Sequence, residues 1–194
     1  MATNRFTIVG YGIVEINNCM FQKDGSMPSQ LPLNTSDFGT GVYAENGMWL
    51  KYDEVAGGVF KPDAVGDEVC LHVSSEKSYG IVGALGLANF KLAGGQYPRL
   101  GRPKVGDTYT TNCFNYITTG DSAFADNDAV ITALGDLASA RLYLIPDVSG
   151  APLLTKAADT TAIAAANTMA EIVKFTTMPD GTLGVKVRFV KVAG

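Results

Sequence analysis

The chain has 194 residues, 46% of them apolar and only 18% charged, with a net charge of −4. That length suits one domain with a sizeable core, and the charge balance offers no basic stripe for nucleic acid. Low charge combined with 22 glycines fits a subunit whose surface is covered in an assembly, and fits a hydrophobic monomer equally.

Cys19, Cys70 and Cys113 are too few and too scattered for a disulfide framework, so reduced thiols and folding in a cytoplasm are expected. "MATNRFTIV" lacks the charged leader and long apolar run of a signal peptide. The longest apolar stretch, "YGIVGALGLANF", is glycine-interrupted and shorter than the roughly 20 residues of a membrane span. No membrane partner is expected.

"TNRFTIVGYGIVEINNCMF" opens like a nucleotide-binding strand and turn. A dinucleotide turn, however, needs a third glycine opening a helix, and Glu15 stands in its place. Ile13, Val14 and Ile16 continue a strand, so no cofactor is expected. Phe6, Ile8, Gly10, Gly12, Val14 and Ile16 share one face, where the two glycines leave room for a close neighbour.

Residues 24–41, "DGSMPSQLPLNTSDFGTG", have no period of two or 3.6. Met27, Leu31, Leu33 and Phe38 are too apolar for simple disorder. An arm lying on a neighbouring surface and a loop packed on its own domain both fit. Asn34-Thr35-Ser36 matches a glycosylation pattern, idle without a secretory signal.

Asn46-Gly47 divides "GVYAE" from "MWLKY" and predicts a two-residue hairpin. Tyr43, Trp49 and Tyr52 flank it. Exposed, they would stack on a sugar or a protein partner; buried, they are hairpin packing, and the core reading is favoured. "KPDAVGDEVCLHV" and "RPKVGDTYTTNCF" each run from a basic residue and proline through Val-Gly-Asp into a strand. Recurring turn chemistry explains them more simply than duplication.

His72 is the only histidine. Cys70 and His72 lie two apart, but zinc needs two further ligands, so a core histidine beside a buried thiol is expected and no metal. "GDSAF" (120–124) resembles a hydrolase block, yet no histidine follows Ser122 to activate it. Asp126-Asn127-Asp128 lacks the glycine and distal glutamate of a calcium loop and reads as a turn or helix cap. No catalytic set emerges, and no small-molecule substrate is expected.

Two helices are predicted, over 127–137 with Val130, Leu134 and Leu137 inward, and over the alanine-rich 159–173 capped by Asp159 or Thr160. "IVKFTTMPDGTLGVKVRFV" predicts a closing hairpin with Val185, Val187 and Phe189 on one face and Lys186 and Arg188 on the other. Asp121, Asp126, Asp128 and Asp136 cluster in 121–136, and Lys174, Lys186, Arg188 and Lys191 in 174–191. These opposite charges suit contacts between subunits or neutralisation within one.

The fold expected is mostly β: an antiparallel sandwich or barrel built from hairpins, with one or two short helices and a long irregular arm. Residues 1–194 form a single domain, any division into lobes falling near 119–128.

"AENGMWLKYDEVAG" (44–57) and "FTTMPDGTLGVKV" (175–187), with "FTIVGYGIVEINNC" and the Val-Gly-Asp turns in the same order, resemble small virion structural proteins of tailed bacteriophages. These are capsid-decoration or head-type proteins encoded near the major capsid protein. The resemblance spans most of the chain. It implies a non-enzymatic β-rich subunit, folded in the host bacterial cytoplasm, that joins the virion by binding the major capsid protein and copies of itself. It carries no contact residues over. The residues themselves nominate Leu31, Leu33, Phe38, Tyr43, Trp49 and Tyr52 as a candidate interface. A tail or neck subunit remains open, as does a carbohydrate-binding module using Tyr43, Trp49 and Tyr52.

Overall fold

The computed structural model describes residues 3–6, 10–14, 30–74, 90–120 and 122–192. Ile8, Ile16, Cys19, Met27, Asp121 and most of "YGIVGALGLANF" lie outside the described residues. The protein is mostly β, with two facing sheets and two short helices among the described residues.

The closing hairpin anchors the larger sheet. β10 (Met169–Thr177) and β11 (Leu183–Lys191) pair antiparallel, with Glu171 opposite Arg188 and Phe175 opposite Val185. Gly181 takes φ +85° at the turn, and the Met178 N–H donates to the Thr182 carbonyl at 2.7 Å. Val185, Val187 and Phe189 are buried while Arg188 is exposed, the alternation that the sequence predicts. β6 (Thr108–Thr111) pairs with the far side of β11. β8 (Leu142–Ile145) joins β10, and β9 (Leu153–Lys156) joins β8. β7 (Asn115–Ile117) then lies parallel to β9, and β1 (Thr3–Arg5) pairs antiparallel with β7.

The expectation of purely antiparallel pairing therefore needs one correction. A parallel pair requires a long crossover, and residues 118–152 supply it through α1 (Asn127–Gly135) and β8. Among the described residues the larger sheet does not close into a barrel. After β1, though, the chain returns to the opposite edge, where Val14 bridges Thr111 of β6.

The second sheet has the order β3-β2-β4-β5, from β2 (Trp49–Asp53), β3 (Gly58–Phe60), β4 (Cys70–His72) and β5 (Leu100–Gly101), all antiparallel. Alternation sends Trp49 and Leu71 into one hydrophobic cluster and Leu50 and Cys70 into another. The first cluster lies between the sheets. There the Trp49 indole N–H donates to the Tyr109 hydroxyl at 2.8 Å, and its ring centroid is 5.3 Å from that of Phe189. Val130 and Leu134 bring α1 into the same cluster, with Leu137 packed against it.

Two further expectations are corrected, and one open choice is decided. Asn46-Gly47 does form a tight turn, with Gly47 at φ +91° and the Met48 N–H on the Glu45 carbonyl. Its flanks do not pair with each other: Ala44 bridges Leu92, while β2 pairs with β3 and β4. The alanine-rich helix is only α2 (Thr160–Ala165), capped by the Asp159 side chain, because 169–177 joins the sheet as β10. Tertiary pairing there overrides helix propensity. Finally, residues 30–41 are irregular but packed on their own chain. Leu33 and Phe38 are each 1% exposed, and Leu33 pairs with the edge of β3 through Val59.

Both Val-Gly-Asp turns use one device. The Asp67 carboxylate accepts the Ala64 N–H and the Asp107 carboxylate accepts the Lys104 N–H, closing each turn ahead of a strand. The strands they lead into belong to different sheets.

Candidate functional site

Two places concentrate polar chemistry: a buried junction at the Asn46-Gly47 turn, and the outward face of the β10–β11 hairpin.

Glu45 centres the junction. Its carboxylate is mostly buried and forms an ion pair with both terminal nitrogens of Arg5, while the Gly12 N–H also donates to it. Its backbone carbonyl accepts from His72 Nδ1 at 2.7 Å. That bond fixes the tautomer, so Nε2 accepts from the Ser74 hydroxyl at 2.8 Å. Ser74 is held in turn, its N–H donating to Asn46 Oδ1 and its oxygen accepting the Arg99 N–H. Burial depresses the His72 pKa to about 4, against a smaller raising effect of the Glu45 carbonyl. The imidazole is therefore neutral at pH 7.

Cys113 lies under the same turn. A Cβ on Gly12 would stand 2.5 Å from the Cys113 Cβ, and one on Gly47 would stand 2.6 Å from it. The glycines at 12 and 47 thus let two backbone segments close on one thiol, which is the close approach that the sequence anticipates at Gly12. Burial pushes the thiol up to about 12 despite nearby Arg5, and Cys70 up to about 11. Neither is a thiolate nucleophile near neutral pH.

A serine bonded to a histidine Nε2 resembles a nucleophile and its base. Here His72 has no exposed surface, Ser74 is 7% exposed, and the orienting group is a main-chain carbonyl. The pair joins β4 to the turn. Ser122 is also buried and contacts Thr155. Asp126 is the N-cap of α1, its carboxylate accepting the Ala129 N–H. Among the described residues, no group of three or more His, Cys, Asp or Glu stands together to hold a metal. Nor is any helix among them long and apolar enough to cross a membrane.

The nominated interface residues do not form one face. Leu33, Phe38 and Trp49 are buried in the chain's own clusters, whereas Leu31, Tyr43 and Tyr52 are half-buried. A sugar reaches the indole only if the sheets separate. Tyr43 instead packs with Tyr11 around Lys91, whose ammonium lies 4.0 Å from the Tyr43 ring centroid.

The hairpin's outer face is different. Arg141 and Arg188 share Glu171, at 3.2 and 2.8 Å. Lys174 stands directly opposite Lys186. Neither lysine has a carboxylate within ion-pair distance among the described residues. Lys191 donates to the Ala166 carbonyl at the end of α2. The basic segment seen in the sequence is therefore a real surface around Lys174 and Lys186, neutralised in part at Arg188.

Of these features, sequence reasoning missed Arg5, Glu45, Asn46 and Ser74 as one network. Their separations along the chain carry no pattern. Compared with family models, curated proteins and solved structures, the chain matches none.

Proposed function

We propose that the protein is a non-enzymatic structural subunit of a bacteriophage virion, a capsid-decorating or shell-stabilising protein that binds the major capsid protein in many copies. Supporting this is the resemblance of its turn motifs to such proteins. The observation that carries the reading is how the reactive side chains are used. Glu45, His72 and Ser74 are joined to one another or to main chain inside the fold, and Arg5 donates to both the Glu45 carboxylate and the Cys113 sulfur. What faces outward is a two-sheet scaffold with a basic hairpin, which suits recognition by surface contact. Burial of Trp49 counts against the carbohydrate-binding alternative.

The test is a binding titration of purified protein onto empty shells of the encoding virus, followed by imaging. Saturable binding in many copies, as a regular lattice of density on the shell, is expected. Density only at the tail or neck would replace a decorating role with a tail one, and no binding to particles would remove the virion reading. Tryptophan fluorescence separates the sugar-binding rival: Trp49 is the only tryptophan, and glycans should leave its emission unchanged.

A further inference from the structure

We propose that the open edge of β10, residues 173–177, takes an extended acidic segment of a partner protein as an added strand. β8 reaches only Ala170 and Glu171 of β10. Past that point β10 is paired on one side by β11, itself backed by β6 through Val185–Thr111 and Lys186–Thr110. The edge is thus held by a rigid platform, and no second strand among the described residues lies along it. Its alternate N–H and C=O groups have no such strand partner among the described residues, which leaves them for strand addition.

Two other edges, those of β3 and β6, are covered by the chain itself. The Asn34 N–H donates to the Val59 carbonyl and the Val59 N–H to the Pro32 carbonyl along β3, and Val14 bridges the edge of β6. At β10 the side chains select what can bind. A bulge at Val173 leaves that apolar side chain 47% exposed. Lys174 and Lys186 face each other, a like-charge pair that costs stability unless an anion stands beside it. A carboxylate on the added strand supplies that anion. A second copy pairing through the same edge would instead bring Lys174 against further lysine, so the surface disfavours self-pairing. The inference needs only this edge and stands apart from the virion reading.

The test uses a short fluorescein-labelled peptide alternating threonine and glutamate. A threonine–lysine peptide and a single-stranded DNA of matching charge serve as comparators. Anisotropy reads binding, and amide hydrogen exchange reads the edge. The acidic peptide is expected to bind and to slow exchange of the amides in 173–177. Lys174→Glu should weaken binding about tenfold or more. The milder Lys174→Gln, with an unchanged melting temperature, should weaken it less. Absence of binding, binding without protection of 173–177, equal binding of the DNA, or insensitivity to both variants would each overturn the proposal.

Discussion

His72 donates from Nδ1 to the main-chain carbonyl of Glu45 across 2.7 Å, tying β4 to the Asn46-Gly47 turn. The same Glu45 grips Arg5 of β1 and the N–H of Gly12 through its carboxylate. One residue therefore links the smaller sheet, the buried turn and the N-terminal segment.

Acid should loosen this link. An unfolded histidine titrates near 6.5, and buried His72 near 4. Between those values the unfolded chain binds a proton that the folded chain refuses. The His72 contribution is thus fully present above 6.5 and is lost as pH falls towards 4, a loss of about 3 kcal/mol. The urea midpoint should drop through that window, and His72→Gln should flatten the drop while lowering stability at pH 7. An unchanged slope in the variant would show that other groups carry the pH dependence.

Gly12 tests the close packing on Cys113. With a Cβ placed 2.5 Å from Cys113 Cβ and 2.9 Å from the Asn46 carbonyl, Gly12→Ala forces backbone to move. A loss of about 1–3 kcal/mol is expected. Gly135→Ala, at an open helical position, should be neutral or stabilising by up to about 1 kcal/mol. Thermal melts of the two variants side by side decide it; equal effects would mean that Gly12 is not against the thiol.

Thiol chemistry gives a third check. Cys70 and Cys113 are buried with pKa values raised to about 11 and 12. Neither should react with a disulfide reagent at pH 8 in the native state, and both should react in denaturant. Rapid native labelling of Cys113, located by peptide mass, would contradict the buried junction.

The closing hairpin predicts a contrast between two positions. Gly181 sits at φ +85° with nothing within 4 Å of the place a Cβ would take, so Gly181→Val meets backbone strain without crowding. That strain is about 1–2 kcal/mol. Lys186→Gln removes one of two facing lysines and should leave stability within about 0.5 kcal/mol, or raise it slightly. A larger loss at Lys186 than at Gly181 would place the hairpin's turn or its faces wrongly.

The parts legible in the sequence are those with local causes. Pro179-Asp180-Gly181 marks its turn, Asp126 and Asp159 mark the starts of both helices, and alternation marks the faces of β11. What escapes depends on distant partners. Ala170, Glu171 and Ile172 look helical beside the alanines before them, and only pairing with β8 and β11 makes them strand. Asn46-Gly47 forms its turn, but the neighbours of β2 come from elsewhere in the chain. Leu33 and Phe38 fit an arm as well as a packed loop in the sequence because their cover is not local. The Arg5–Glu45–His72 network is invisible for the same reason, whereas the lysines at 174 and 186 are visible as charge though not as a facing pair.

The role proposed for the chain is that of a many-copy component of a virion. Its most direct test is the ratio of this protein to the major capsid protein in purified particles of the encoding virus, measured by quantitative peptide mass spectrometry. A fixed ratio to the major capsid protein of the order of one is expected, retained through gradient purification. Absence from purified particles, with the protein left in the soluble lysate, would contradict it.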